Sequence, residues 1–186
     1  MTIVSNLDAV KKWLEDNVCS EIEFKIPDDE TAPEDYNYKL VKPSVFVHYL
    51  PSKGLPNTAP SIPSICVELE SGYDAIIDKR GELNIRLGFS TWNPGMHIKK
   101  NKKKIFDSNF EGWRDAWNFV DLVLEKIENS EYIGGLRLIK ENNVEYTPLS
   151  QQENIPVFFP YWYAQISFTL ERSVVRTKQK YRNLLD

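Results

Sequence analysis

The chain has 186 residues, with 23 Lys+Arg against 27 Asp+Glu, a net charge of −4, 41% hydrophobic and 27% charged residues. That length suits one domain with a proper core, and the acidic balance gives no case for bulk nucleic-acid binding. Two cysteines and no signal-like N-terminus argue against a disulfide scaffold and for a reduced cytosolic setting, and no apolar run approaches the ~20 residues of a membrane span.

In chain order, Ser5 followed by Asp8 resembles a capping box, and Leu7, Val10, Leu14 and Val18 fall at helical spacing. Residues 6–17 are therefore expected to form a short amphipathic helix. Ile22, Phe24 and Ile26 alternate with Glu21, Glu23 and Lys25, which predicts a strand over 21–26. The acidic, proline-bearing stretch 27–35 predicts a solvated loop. A second strand is expected within 41–50. Residues 51–63 hold four prolines and one glycine, a composition that suits an extended loop or arm rather than a sheet interior.

Strands are expected at 65–69 and 82–92, the latter with Leu83, Ile85, Leu87 and Phe89 on one face. Residues 97–104 contain the run Lys99, Lys100, Asn101, Lys102, Lys103, Lys104, which predicts a basic, solvated loop. Ser108 and Glu111 form a capping-box pattern ahead of a helix over 110–128. Its stripe is Trp113, Ala116, Trp117, Val120, Val123, Leu124 and Ile127. Phe119 and Leu122 fall off that stripe and suggest a second buried patch. Gly134-Gly135 opens a strand at 136–140.

The last element is the most informative. From Tyr161, residues Trp162, Ala164, Ile166, Phe168 and Leu170 point one way, and Tyr161, Tyr163, Gln165, Ser167 and Thr169 the other. The first set reads as a core face. The second holds no lysine or glutamate, the composition of a face that another surface covers. Five Trp, nine Tyr and nine Phe exceed the needs of a minimal core and point the same way. Helices flanking runs of strands predict an α+β fold: a mostly antiparallel sheet with two main helices packed on it, one domain over 1–171, and a basic tail over 172–186.

Chemistry is sparse. His48 sits in a strand pattern and His97 beside the lysines, and neither accompanies a nucleophile elbow. Cys19 and Cys66 lack a CxxC partner, so no zinc site is expected. Glu68 and Glu70, sharing one strand face near Asp74, Asp78, Lys79 and Arg80, are the best enzymatic candidate, as a Mg²⁺ site of a metal-dependent nuclease. The commoner explanation is a solvated acidic face. No glycine-rich phosphate loop is present.

One pattern is familiar. A strand ends in the turn 88–95, GFSTWNPG. A helix follows, GWRDAWNFVDLVL from Gly112, then a short strand at 136–140, a proline-bearing loop, and the aromatic strand PYWYAQISF from Pro160. This order over roughly residues 65–171 resembles the tail-completion, or tail-terminator, proteins of bacteriophages and phage-tail-like particles. The resemblance implies a small α+β subunit that assembles as a hexameric ring on the tail tube, stops tube polymerisation and presents a surface to the head or neck. It implies no enzymatic activity and no cofactor or metal.

The implied partners are further copies of the chain, the tail tube protein, and head, neck or sheath proteins. DNA would be met only through a ring lumen, and no membrane is involved. Host bacterial cytoplasm during assembly, then the particle, is the implied location. The arm at 51–63, the lysine run and the basic tail are not explained by the resemblance.

A closed ring needs two different contact surfaces on each subunit. Tyr161 and Tyr163 are the first candidates; Phe119 with Leu122, or the arm from Leu55 to Ile62, are the second. Lys99, Lys100, Lys102, Lys103 and Lys104 are candidates to face DNA in a lumen. A head–tail connector or other tail-associated subunit is the alternative within the same class.

Overall fold

The computed structural model describes residues 2–28, 36–52, 58–100, 103–148 and 159–174. Helix α1 spans Ile3–Leu14 and runs into a π-helical turn, Glu15–Cys19. Its cap is Thr2 rather than Ser5. The Thr2 hydroxyl accepts the Ser5 N–H at 3.1 Å, and the Ser5 hydroxyl accepts the Thr2 N–H at 2.9 Å. Serine replaces the usual Glu or Gln of a capping box, which is why the sequence pattern placed the start later. Leu7, Val10 and Leu14 are buried on one stripe.

Strands β1 (Phe24–Pro27) and β2 (Tyr38–Val41) form a separate antiparallel pair. The main sheet is built from β3 (Ser44–Val47), β4 (Ser64–Ala75), β5 (Arg80–Trp92), β8 (Tyr132–Ile133), β9 (Leu136–Leu138), β10 (Glu145–Thr147) and β11 (Tyr161–Ser173). Its order is β3-β4-β5-β11-β9-β8, with β10 also pairing β11. Only β3 and β4 run parallel; the other pairs are antiparallel. Together with two helices this is the expected α+β fold.

Helix α2, Trp113–Glu128, follows a 3₁₀ turn at Phe110–Gly112 and packs on β5 and β11, while α1 packs on β3 and β4. Between helices and sheet lies the core. Leu83, Ile85, Leu87 and Phe89 come from β5, and Ala164, Ile166, Phe168 and Leu170 from β11. The period-two alternation of both strands is thus a one-sided burial.

Several expectations need correction. The α2 stripe is rotated. Phe119 is fully buried, 4.7 Å from the Phe24 ring and 5.1 Å from that of Phe89, whereas Trp113 is 43% exposed. Asn109, not Ser108, takes the Glu111 N–H, at 2.9 Å. The lysine run is not a loop in its described part: β6 (Gly95–Lys100) and β7 (Lys103–Ser108) form an antiparallel hairpin. At its base Phe106 stacks on Tyr36 at 4.5 Å and lies 5.3 Å from His97. Arg172 and Ser173, assigned to the tail, are the last paired residues of β11. β10 was not anticipated at all.

Candidate interaction face

One face of the main sheet carries the helices. Across the middle strands, the other presents rungs of mostly polar residues fixed by register. Ser64, Ser90 and Tyr163 form one rung, and Cys66, Gly88, Gln165 and Thr147 the next. Glu68, Arg86, Ser167 and Glu145 make the third, and Ser71, Asn84 and Thr169 the fourth. A bulge between Leu69 and Ser71 shifts the fourth rung on β4.

Most of these groups satisfy one another across strands. The Ser64 and Ser90 hydroxyls are 2.7 Å apart. Gln165 Nε2 donates to Thr147 Oγ1 at 2.9 Å, Thr169 Oγ1 to Asn84 Oδ1 at 3.0 Å, and Asn84 Nδ2 to Ser71 Oγ at 2.8 Å. Ser64, Ser90, Cys66, Gln165 and Thr169 are all buried. A polar face whose hydrogen bonds are already made internally loses little when another surface excludes water from it.

Glu68 and Glu70 do not stand as a bare acidic pair. Arg86 Nε and Nη2 both donate to Glu68 Oε2, at 3.0 and 2.8 Å, and Arg86 Nη1 is 3.6 Å from Glu70 Oε1. A guanidinium thus stands between the two carboxylates and hydrogen-bonds Glu68 Oε2. Among the described residues no group of three or more His, Cys, Asp or Glu converges as a metal site.

At Gly88 the missing side chain leaves a cavity of about 150 Å³, lined by Cys66, Arg86, Gly88, Ser90, Tyr163 and Gln165. Burial and the Glu68 carboxylate push the Cys66 thiol up to about 11, and burial, with Glu15, pushes Cys19 up to about 12. Both are neutral thiols at physiological pH and poor nucleophiles. Tyr163 is shifted upward by burial and by its neighbour Tyr161.

At the α2 end, the Trp162 indole lies directly on Gly112 and donates to the Asn93 carbonyl at 3.2 Å. Lys25 Nζ donates to Asn93 Oδ1 at 3.0 Å and to the Gly95 carbonyl at 2.7 Å, tying β1 to the root of the β6–β7 hairpin. Burial lowers the Lys25 pKa against the opposing pull of Asp115.

The predicted contact residues fare unequally. Tyr161 and Tyr163 are half-buried on the rung face, and Leu122 and Ile62 are half-buried. Phe119 is withdrawn from any subunit contact, because the core encloses it completely. Leu55 and Lys102 lie outside the described residues; Lys99, Lys100, Lys103 and Lys104 belong to the hairpin backbone.

Sequence reasoning missed the exposed aromatics at the root of α2, Phe110 at 68% and Trp113 at 43%, and the hairpin turn where Ile76 and Ile77 are 80% and 94% exposed. Two adjacent isoleucines just before Asp78-Lys79-Arg80-Gly81 were the available signal. No protein-family model and no curated protein matches the chain. Among the described residues no helix is long and apolar enough to cross a membrane.

Proposed function

We propose that this chain is a structural subunit of a phage or phage-tail-like particle: a tail terminator that forms a ring, hexameric in the family it resembles, caps the tail tube and joins it to the head or neck. The observation that carries the reading is the rung face of β4, β5 and β11. It spans the centre of the largest sheet and is bonded within itself, with Tyr161 and Tyr163 half-buried at one end. Such a face suits contact with another protein surface better than it suits turnover. The order of turn, tryptophan-bearing helix, short strand and aromatic strand supports the family reading.

In a ring each subunit meets its neighbours through two unlike patches. The rung face supplies one. The exposed Phe110 and Trp113, at the root of α2, supply a second of different composition. Molar mass by light scattering, for the protein alone and with purified tail tubes, tests this reading. Ring-sized mass in solution, or rings on tube ends, is expected. A strict monomer that also ignores tubes contradicts it.

A further inference from the structure

Gly88 lies in the middle of β5, a strand of 13 residues, and the packing around it does not call for a glycine. Its backbone is not left-handed, and among the described residues a Cβ built on it would meet only the Cys66 Cβ, at 4.0 Å. The other described glycines differ. Gly72, Gly81 and Gly112 would bring a Cβ to 2.9, 2.6 and 2.3 Å from a neighbouring atom, and Gly95, Gly134 and Gly135 have positive φ. A glycine inside a strand weakens it and gives it nothing to pack. Where the fold itself gains nothing, the missing side chain makes room for a group that comes close from outside.

The room is that of one aromatic ring. A protein cavity of about 150 Å³ holds one benzene molecule, and the cavity over Gly88 has about that volume. Its walls are fixed. The Ser90 hydroxyl is bonded to that of Ser64, Gln165 Nε2 to Thr147, and Arg86 to Glu68, so each would break a hydrogen bond to swing into the space. Cys66, buried and neutral, adds a small apolar group to the lining.

The same chain exposes a ring of that size. Phe110 is 68% exposed and is the one exposed phenylalanine among the described residues. An exposed Tyr or Trp keeps a polar group in water, whereas phenylalanine has none. Phe110 stands on the 3₁₀ turn at the root of α2 and leans on Phe159 at 5.2 Å, which sets its direction. Gln165, paired with Gly88, is six residues from Phe159 along the chain, about 20 Å if extended. That separation is beyond the reach of a phenyl side chain, so a subunit cannot seat its own Phe110 over its own Gly88.

Resting on the ring reading, we propose that the cavity over Gly88 is a socket for one aromatic side chain, and that its occupant is Phe110 of a second copy of this chain. A hole on one patch and a ring on another define a head-to-tail contact, in which each copy serves the next. An aromatic anchor seated in a pocket near the centre of a patch is also the usual form of an interface hot spot.

Two substitutions test the contact. Gly88→Val fills the socket, and Phe110→Ala removes the ring. Gly88→Val is expected to unfold at a urea concentration equal to or above the parent's, because the strand gains a β-branched residue where there is room for one. Its association, read by light scattering for the protein alone and with purified tail tubes, should nevertheless be about tenfold or more weaker. Phe110→Ala, at an exposed position, should keep the parent's unfolding midpoint and weaken association to a similar degree. The double variant should associate no more weakly than either single one, because both changes remove the same contact.

A Gly88→Val midpoint well below the parent's would show that the space is used within the chain, and overturns the socket. Parent-like association of either single variant, or a double variant weakened by the product of the two effects, overturns the pairing of Phe110 with Gly88. So does a loss confined to tube binding with self-association intact, which places the inserted ring on the tube protein. Each of these results leaves the ring reading standing. A parent that never associates, even on tubes, removes that reading and the socket with it.

Discussion

Arg172 reaches across a strand to Asp74. On the last rungs of the sheet, Gly81 of β5 lies between Asp74 of β4 and Arg172 of β11, paired with both. Gly81 has no side chain, so the guanidinium passes over it. Arg172 Nε donates to Asp74 Oδ1 at 3.1 Å and Nη2 donates to the same oxygen. Arg172 is only 6% exposed. A Cβ at position 81 would sit 2.6 Å from Asp74 Oδ1 and 2.6 Å from the Tyr73 carbonyl.

The pair therefore makes a sharp stability prediction. Asp74→Ala takes the carboxylate from the buried Arg172 guanidinium and should cost about 3–5 kcal/mol; Arg172→Ala should cost less, because Asp74 is only half-buried. Gly81→Ala should cost about 1–3 kcal/mol by forcing the lane apart. Urea denaturation of the three variants checks this; values within about 0.5 kcal/mol of the parent would show that the far end of the sheet is dispensable.

At the other end, Gly112 is the floor on which Trp162 rests. A Cβ there would lie 2.3 Å from the indole nitrogen and 2.7 Å from the Asn93 carbonyl that the nitrogen bonds. Gly112→Ala is expected to displace the ring and to destabilise the fold by about 1–3 kcal/mol. Near-ultraviolet circular dichroism and tryptophan emission report the displacement, and an unchanged spectrum would contradict it.

The two buried thiols set an alkaline limit on stability. Their folded-state pKa values, about 11 for Cys66 and about 12 for Cys19, lie above the ordinary value of 9.0. Between pH 9 and 11 the folded chain therefore holds more protons than the unfolded one, and stability falls as pH rises. The contribution is fully present below pH 9 and is lost as pH climbs through the folded values. Denaturation midpoints measured from pH 8 to 11 should decline, and Cys66→Ala should flatten the decline. An equal slope in the variant would rule out the Cys66 thiol as a cause.

The rung face can be blocked without touching the core. Ser167 lies half-exposed at its centre, opposite Arg86 and Glu145. Ser167→Gln, larger and uncharged, should leave the unfolding free energy within about 0.5 kcal/mol of the parent and sharply weaken association with neighbours or tubes. Normal ring formation by this variant would move the contact to another surface.

The parts of the fold that sequence patterns revealed are those where burial alone sets the order of residues. β5 and β11 each have one face against helices, so Leu83 to Phe89 and Ala164 to Leu170 alternate as they must. The α2 stripe was misplaced because Trp113 is large and apolar yet sits in the first turn beyond the sheet, while Phe119 fills the space between Phe24 and Phe89. The β6–β7 hairpin was hidden because the lysine run itself carries no apolar alternation, and the aromatic stack at its base, Tyr36 on Phe106, joins residues distant in sequence. β10 is three residues long and gains its place only by pairing with β11.

The candidate face was half legible. Tyr161, Tyr163, Gln165, Ser167 and Thr169 announced an uncharged strand face, but not that Ser64, Cys66, Gly88, Ser90 and Asn84 extend it over three strands. Register is a long-range property, and no local pattern in β4 encodes its bulge at Leu69. Nor did the spacing of Glu68 and Glu70 show that Arg86 stands between them.

The central claim, that this chain ends a tail tube, is tested most directly by tube length. Electron microscopy of tubes growing from their own tube protein, with and without this chain, should show shorter tubes of narrower length distribution. A ring should sit on the growing end. Tubes of unchanged length with bare ends, at protein concentrations well above that of the ends, would contradict the account.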